Sequence, residues 1–160
     1  MKVLVLMGSD SDSKTVEPGL KVLEEYNIEY SVRVCSAHRT PDMAKQLAVN
    51  AKSEGFKVII AAAGKAAHLA GVIAAHTVLP VIGIPVKTSD LGGMDSLLST
   101  VQMPAGVPVA TMAIDGGKNA AILAAEILAL NNEELSNKLQ QFKKEMEQKV
   151  MQADREINNK

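Results

Sequence analysis

The sequence has few of the residues that mark secreted, membrane-bound or nucleic-acid-binding proteins. Only one of its 160 residues is a cysteine, Cys35, which excludes an internal disulfide framework and favours a reducing compartment. The short apolar run at residues 3–7 ends in a Gly-Ser-Asp turn rather than a signal-peptide cleavage site, and no apolar run reaches membrane-spanning length. The net charge of -1, without a basic block ahead of the last helix, gives little support to nucleic-acid binding. We therefore expect a cytoplasmic protein without membrane or nucleic-acid partners.

Aromatic residues and metal-ligand patterns are also scarce. Aromatics make up 2% of the chain and tryptophan is absent, so the core must be aliphatic and rich in alanine. Small side chains bury little area each, which makes oligomerisation an attractive source of further burial. The histidines, His38, His68 and His76, lack the spacing of metal ligands, and no loop aromatic is placed to stack on a flavin. Neither a G-x-S-x-G elbow nor a P-loop is present.

Short apolar runs alternate with helical patterns along the chain. The runs at residues 3–7, 30–35, 58–63, 81–86 and 109–114 predict strands of a parallel sheet, and the first run is typical of a buried one. The segments 13–26, 41–53, 66–77, 95–102 and 118–130 predict helices that connect them by right-handed crossovers. We therefore predict a single domain over residues 1–160 with a three-layer α/β fold, flavodoxin-like or Rossmann-like, around a parallel sheet.

The last segment, residues 133–158, predicts an extra long C-terminal helix. It is highly charged, with an apolar stripe at Leu135, Leu139, Phe142, Met146 and Val150. This stripe could pack on the helix's own domain or on a neighbouring subunit, and the spacing alone does not decide between them.

Ligands of open parallel sheets bind outside the carboxyl ends of the strands, and polar residues follow the first strand there. In MGSDSD, residues 7–12, glycine lets the backbone turn, and Ser9, Ser11 and Asp12 bring hydroxyls and a carboxylate to a helix start. These groups suit the hydroxyls of a ribose. The alternative is an ordinary helix cap, which Ser11, Asp12 or Ser13 would provide alone.

The second strand ends in CSAHRTP, residues 35–41. Arg39 offers a planar fork for phosphate or carboxylate, and His38 can hold or deliver a proton near neutral pH. Ser36 adds a hydroxyl, while Thr40 and Pro41 begin the next helix. Taken alone, His38 could be a surface loop histidine, and Cys35 is expected to be a small buried apolar residue.

The third strand ends in AAAGKAAHLAG, residues 61–71. Gly64 permits the turn into a helix, and the small residues around it would let a flat ligand approach the backbone. His68, expected one turn into that helix, could face the cleft or the solvent. Further along, KTSDLGGMD at residues 87–95 is a candidate lid, with Gly92 and Gly93 as hinges.

Four motifs in this order resemble the family of 5-(carboxyamino)imidazole ribonucleotide mutases. They are GSxSD after the first strand, SAHRTP after the second, AAHL after the third and VQMPxGxPVAT before the fifth. The resemblance covers about residues 1–140. It implies a flavodoxin-like domain in a homo-octamer whose C-terminal helices reach neighbouring subunits, no metal or nucleotide cofactor, and functional coupling to the ATP-dependent carboxyaminoimidazole ribonucleotide synthetase.

The activity that the resemblance implies belongs to de novo purine biosynthesis. A carboxyl group would move from the exocyclic nitrogen of a ribonucleotide's imidazole ring to a ring carbon, through carbon dioxide held in a dry pocket. The alternative is direct carboxylation of aminoimidazole ribonucleotide by free carbon dioxide, and the histidine of AAHL favours the mutase. A non-catalytic nucleotide-binding module is a further hypothesis of a different class.

The matching positions imply the site residues. His38 would be catalytic and shuttle the proton, Arg39 and Ser36 would engage phosphate, and Asp12 would bind the ribose hydroxyls. The remaining substrate-binding positions are Ser9, Ser11, Ala63, Gly64, Lys65, Ala67, His68 and Leu69.

Three positions depart from the family pattern. The family usually has glycine in place of Lys65 and proline in place of Ala70, and the turn after Ile114 is shorter than in many members. Lys65 would add a charge beside the carboxylate or point to solvent, and we expect the solvent orientation.

Overall fold

A five-stranded parallel sheet forms the centre of the protein in a computed structural model that describes residues 1–158. Its strands are β1 (Lys2–Met7), β2 (Glu29–Val34), β3 (Phe56–Ala63), β4 (Val81–Pro85) and β5 (Ala110–Thr111). The order β2-β1-β3-β4-β5, with all neighbours parallel, is that of flavodoxin-like proteins. The predicted fold class is confirmed.

Helices cover both faces of the sheet. They are α1 (Ser13–Glu25), α2 (Pro41–Asn50), α3 (Leu69–Ala74), α4 (Met94–Val101), α5 (Gly117–Ala129) and α6 (Glu133–Asn158), with a short 3₁₀ turn at Asp10–Asp12 before α1. One core joins alternate residues of β1 and β3 to α1, α5 and the start of α6. The opposite residues of the same strands pack against α2 and α3 in a second core. Because both faces are covered, the central strands are apolar throughout, as their sequences predict.

The structure corrects three predicted boundaries. The helix expected at residues 41–53 ends at Asn50, and the helix expected at 66–77 is limited to Leu69–Ala74. The fifth strand, expected at 109–114, pairs with β4 only through Ala110 and Thr111. Pro85 has no N–H with which to extend that ladder, so the chain leaves the sheet early.

Helix α6 divides into a packed and an unpacked half. Leu135 and Leu139 are buried in the first core, and Lys143 pairs with Glu126 of α5 at 3.0 Å. Beyond them the predicted stripe has no cover within this chain, since Met146 is 44% exposed and Val150 is 70% exposed. The helix thus packs on its own domain at the start and leaves its second half open. None of the helices in residues 1–158 is long and apolar enough to cross a membrane.

Candidate active site

A cleft of about 440 Å³ opens where β1, β2 and β3 end. In the order β2-β1-β3-β4-β5, the β1–β2 connection runs to one side of β1 and the β2–β3 connection returns across β1 to its other side. α/β sheets bind ligands at such a change of direction, the topological switch point. Ten of the twelve predicted site residues line this cleft, all except Ala67 and His68. The sheet therefore brings together the three polar segments that lie far apart in the sequence.

The first wall of the cleft is the 3₁₀ turn that follows β1. Ser9 caps it, because its hydroxyl accepts the N–H of Ser11 at 3.4 Å and its own N–H donates to Asp12 Oδ2 at 3.0 Å. Ser11 Oγ lies 3.0 Å from Ser9 Oγ, which joins the two hydroxyls. The cap differs from the expected one, because Ser9 and Asp12 cap the 3₁₀ turn while Asp12, the N-cap of α1, makes no side-chain cap hydrogen bond to that helix. Both residues also line the cleft.

Asp12 is the buried carboxylate of this wall. Its side chain is only slightly accessible, and burial raises the pKa of its carboxyl above the ordinary value, while the hydrogen bond from the Ser9 backbone offsets part of that rise. One oxygen is committed to Ser9, which leaves Oδ1 to accept from a ligand. A carboxylate in this position can accept hydrogen bonds from the hydroxyls of a ligand, and its negative charge repels an anionic group.

The second wall is a tight turn between β2 and α2. The N–H of Ser36 donates to Thr40 Oγ1 at 2.9 Å, and the Thr40 hydroxyl donates back to the Ser36 carbonyl at 3.0 Å. Thr40 occupies the N-cap position of α2 but makes no side-chain cap hydrogen bond, because its hydroxyl is used inside the turn. The turn therefore holds Ser36, Ala37 and His38 at the mouth of the cleft.

Replacing Thr40 by valine should destabilise this turn. The change removes two hydrogen bonds to the Ser36 backbone, so we expect the free energy of unfolding to fall by about 1–2 kcal/mol and ligand affinity to fall with it. Denaturant unfolding and calorimetric titration measure the two effects. Thr40→Ser keeps the hydroxyl and is the matched control, and equal stability of both variants would contradict the assigned role.

Arg39 is oriented by the first two walls. Its Nη2 donates to the Gly8 carbonyl at 3.2 Å, and its Nε lies 3.4 Å from Ser36 Oγ, which also accepts the Arg39 backbone N–H at 3.2 Å. These contacts position the guanidinium across the ends of β1 and β2. Donors of the fork remain for an anion, which planar guanidinium binds in a bidentate manner.

His38 and His68 form a hydrogen-bonded pair at the cleft. His38 Nε2 lies 3.0 Å from His68 Nδ1, and the ring planes are inclined by 76°. In such a hydrogen bond one nitrogen carries the proton and the other accepts it. The accepting ring must be neutral, because a doubly protonated imidazole has no acceptor nitrogen. When His38 donates, its own ring can still carry a second proton at Nδ1. The pairing thus fixes the His38 ring while leaving it able to gain or lose a proton.

The third wall comes from the turn between β3 and α3, of which residues 64–66 line the cleft. Lys65 adopts a left-handed conformation with φ of 45°, which costs a residue with a side chain about 1–2 kcal/mol and is natural for glycine. This conformation explains why a glycine is expected there. Ala70 is the second residue of α3, where proline would also be tolerated.

Lys65 points towards solvent, as expected, but its ammonium group has a partner there. Its side chain is exposed, but Nζ pairs with Asp90 Oδ2 at 2.8 Å. This pair raises the pKa of Lys65 and lowers the pKa of Asp90 from their ordinary values. The lysine also lines the cleft, so a cation and its partner carboxylate lie at the mouth of the site.

Two predicted residues lie outside the cleft wall. Ala67 is buried beneath it, where its carbonyl is 3.4 Å from Thr100 Oγ1. His68 is the N-cap of α3 rather than a residue one turn into the helix, and it borders a neighbouring groove while touching His38. Thr40 and Asp90 were not among the predicted site residues, since their roles depend on contacts between residues that sequence spacing does not show.

The side-chain chemistry of the cleft fits a small ligand that carries hydroxyls and a negative charge. Arg39 supplies donors for an anion, Asp12 an acceptor for hydroxyls, and His38 a proton carrier, opposite a wall of alanine and glycine. Within residues 1–158, no three histidine, cysteine or acidic side chains lie together as metal ligands would. Cys35 is buried with a pKa raised by burial, so its thiol takes no part in the site.

Fold and site together define an α/β enzyme of flavodoxin-like topology, with a histidine pair and an arginine at one cleft. The chain belongs to the AIR carboxylase family, whose sequence model matches residues 2–149.

Individual relatives extend the family match over almost the whole chain. N5-carboxyaminoimidazole ribonucleotide mutase of Thermotoga maritima is 52% identical over 151 residues, which cover 94% of this chain and 88% of the relative. The protein of the same name from Pyrococcus horikoshii is 52% identical over 146 residues, covering 91% and 82%. The crystal structure of Treponema denticola PurE covers 97% of both chains with a TM-score of 0.87 at 28% sequence identity.

Proposed function

We propose that this chain is an isomerase of de novo purine biosynthesis. It would convert 5-carboxyamino-1-(5-phosphoribosyl)imidazole into 5-amino-1-(5-phosphoribosyl)imidazole-4-carboxylate. The observation that carries the proposal is the meeting of His38, Arg39 and Asp12 around one cleft, in a chain about half identical to proteins named as this mutase.

In this proposal each wall of the cleft binds a part of the ribonucleotide, which the positions of the lining residues support. Arg39 and Ser36 bind the phosphate, and Asp12 accepts hydrogen bonds from the ribose hydroxyls. Ser9 and Ser11 contribute hydroxyls beside Asp12, while the backbone of residues 63–67, with Leu69, lies along the imidazole and its carboxyl group. The carboxyl-bearing end of the ligand thus lies beside the small residues Ala63, Gly64 and Ala66, which limit the access of water while carbon dioxide is free, with Lys65 at the mouth of the cleft.

The proposed reaction returns every proton that it uses. His38 gives a proton to the exocyclic nitrogen as the C–N bond breaks and carbon dioxide leaves. The ring carbon, made nucleophilic by the amino group, then attacks the trapped carbon dioxide, and the new C–C bond forms without a bimolecular encounter. His38 finally takes the proton from that carbon and ends the cycle as it began. His68, hydrogen-bonded to Nε2, keeps the ring in place during both transfers.

Direct carboxylation of aminoimidazole ribonucleotide is the second candidate, because the matching family is itself described as AIR carboxylase. That reaction releases a net proton and needs free carbon dioxide. The mutase is preferred because the relatives near 50% identity carry its name and because the AAHL motif with His68 is present.

An assay of both substrates distinguishes the two reactions. We expect turnover of the carbamate ribonucleotide without added bicarbonate, followed by the absorbance of the product carboxylate. Turnover of unmodified aminoimidazole ribonucleotide with bicarbonate, but not of the carbamate, would assign the direct carboxylase instead. Binding of the ribonucleotides without turnover of either would favour a non-catalytic module.

We also propose the setting in which the enzyme acts. Residues 1–160 would form one domain of a cytoplasmic homo-octamer, with the open half of α6 (residues 146–158) packed on neighbouring subunits. Exposed Val150, Met151 and Ile157 support this arrangement, since the helix has no cover for them within the chain. Functional coupling to the synthetase that makes the unstable carbamate would shorten its exposure to water.

A further inference from the structure

Lys65 and Asp90 connect two loops at the mouth of the cleft. The first loop is the β3–α3 turn, and the second is the β4–α4 loop, residues 86–93. The loops lie side by side, since Val86 N–H donates to the Ala63 carbonyl at 2.9 Å and a Cβ at Gly64 would meet Thr88 at 3.6 Å. The lysine therefore reaches from the cleft wall to a carboxylate just outside it.

The backbone at Lys65 is unusual for its residue type. Within residues 1–158, the other non-glycine residues with positive φ are Asn27 and Asp115, and short polar residues of this kind tolerate that region. Lysine gains no such local hydrogen bond, yet it is held at φ 45° on the cleft wall. Uncommon backbone conformations are kept where the surroundings impose them, and they concentrate at binding sites.

The stems of the β4–α4 loop are fixed independently of the ion pair. The buried hydroxyl of Ser96 lies 2.7 Å from the Val86 carbonyl and 2.8 Å from the Gly93 carbonyl, and Thr88 donates to Asp95 at 2.8 Å. The loop thus keeps its shape when Asp90 loses its partner. The side chains of Lys65 and Asp90 are 72% and 63% exposed. An ion pair this exposed favours the paired over the unpaired state of the two side chains by at most about fivefold.

Two cations flank the cleft from opposite sides. Arg39 follows β2 and Lys65 follows β3, and β1 lies between these strands, so their strand ends are about 10 Å apart. A ribonucleotide with a phosphate at one end and a carboxylate at the other presents two anions. With Arg39 on the phosphate, the second anion lies on the side of Lys65.

We propose that Lys65 binds the carboxylate of the ligand and that Asp90 holds this lysine until the ligand arrives. Binding then exchanges one carboxylate partner for another, at little cost because the resting pair is exposed. Lys65 becomes a specificity-determining residue that favours the carboxylated ribonucleotide over the unmodified one. This inference rests on the proposed function, because it needs a ligand that carries a carboxylate.

Calorimetric titration with two ligands tests the exchange. The ligands are 5-amino-1-(5-phosphoribosyl)imidazole-4-carboxylate and the same ribonucleotide without its carboxylate. We expect Lys65→Gln to weaken binding of the first about five- to tenfold and to leave the second within twofold. Asp90→Asn, which frees the lysine, should tighten binding of the first ligand about threefold, and the double variant should bind like Lys65→Gln.

The controls separate this role from a structural one. Lys87→Gln removes an exposed cation from the same loop without touching the cleft wall, and it should leave the preference between the ligands unchanged. Lys65→Gly relieves the positive φ and serves as the second charge-free variant, while thermal unfolding confirms that each protein is folded. Weaker binding of both ligands by Asp90→Asn, or equal effects of Lys65→Gln on both, would overturn the proposal.

The outcomes also separate this inference from the proposed function. If the wild-type protein prefers the carboxylated ligand and Lys65→Gln keeps that preference, only the role of Lys65 is wrong. If the wild-type protein binds neither ribonucleotide, the proposed function is wrong and the role of Lys65 falls with it.

Discussion

Replacing His38 by asparagine should lower turnover of the carbamate ribonucleotide by about 100- to 10,000-fold, the usual contribution of a positioned acid–base group. Asparagine keeps a polar side chain but has no group that can give and recover a proton. In the proposed binding mode other residues hold the phosphate and the ribose, so the dissociation constant of the ribonucleotide should change by less than about threefold.

The comparison with His76 makes this test specific. His76 is exposed beyond the end of α3 and does not line the cleft, so His76→Asn should retain wild-type kcat and KM. Initial rates and calorimetric titration of the same preparations separate chemistry from binding. If His38→Asn kept a tenth or more of the wild-type turnover, His38 would not be the proton carrier.

His68→Asn isolates the role of the histidine pair. Because Nδ1 of His68 contacts the proton-carrying ring rather than lining the cleft, its loss should lower kcat less than the loss of His38 does. The pH profile of kcat should also shift, since the group that accepts from or donates to His38 Nε2 changes. An unchanged pH profile would show that the contact only fills space.

Sequence spacing located the cleft because each of its walls follows an apolar strand. Parallel strands end at one edge of the sheet, so polar residues after β1, β2 and β3 must meet there. The strand positions alone were therefore enough to predict that Ser9, Ser36 and Arg39 lie at the cleft. Their proposed chemical roles could not be predicted from position and came from the resemblance of the motifs to a known family.

Contacts between loops could not be predicted in the same way. The hydrogen bond of His38 to His68 and the ion pair of Lys65 with Asp90 join residues about 25–30 positions apart through loop geometry. Nothing in the local patterns measures the distance between two loops. The left-handed turn at Lys65 also removes residues 66–68 from the helix that the alanine-rich sequence predicts, because propensity is weaker than the tertiary path of the chain.

The contact of α1 with α5 depends on the absence of side chains at two glycines. Gly19 lies in α1 and Gly117 begins α5, and a Cβ on Gly19 would come within 2.5 Å of the Gly117 carbonyl oxygen. A Cβ on Gly117 would press against the carbonyl oxygen of Thr15, well inside contact distance. These atoms belong to the backbone, so one helix would have to move as a whole.

We therefore expect Gly117→Ala to lower the free energy of unfolding by about 3 kcal/mol, the upper range for overpacking. Helix propensity alone predicts the opposite sign, a gain of about 0.5–1 kcal/mol for alanine over glycine. The steric clash outweighs the gain in helix propensity because the opposing atom is a main-chain oxygen, which cannot move aside as the end of a flexible side chain can. Since α1 starts directly after the turn that holds Asp12, ribonucleotide binding should weaken as well.

Asn119→Ala provides the matched control for this change. Asn119 is exposed in the first turn of α5, so alanine there tests propensity without the clash and should leave stability equal or slightly higher. Denaturant unfolding of the two variants measures the difference directly. A Gly117→Ala protein as stable as the wild type would mean that α1 and α5 separate easily. The position of Asp12 could then not depend on their close contact.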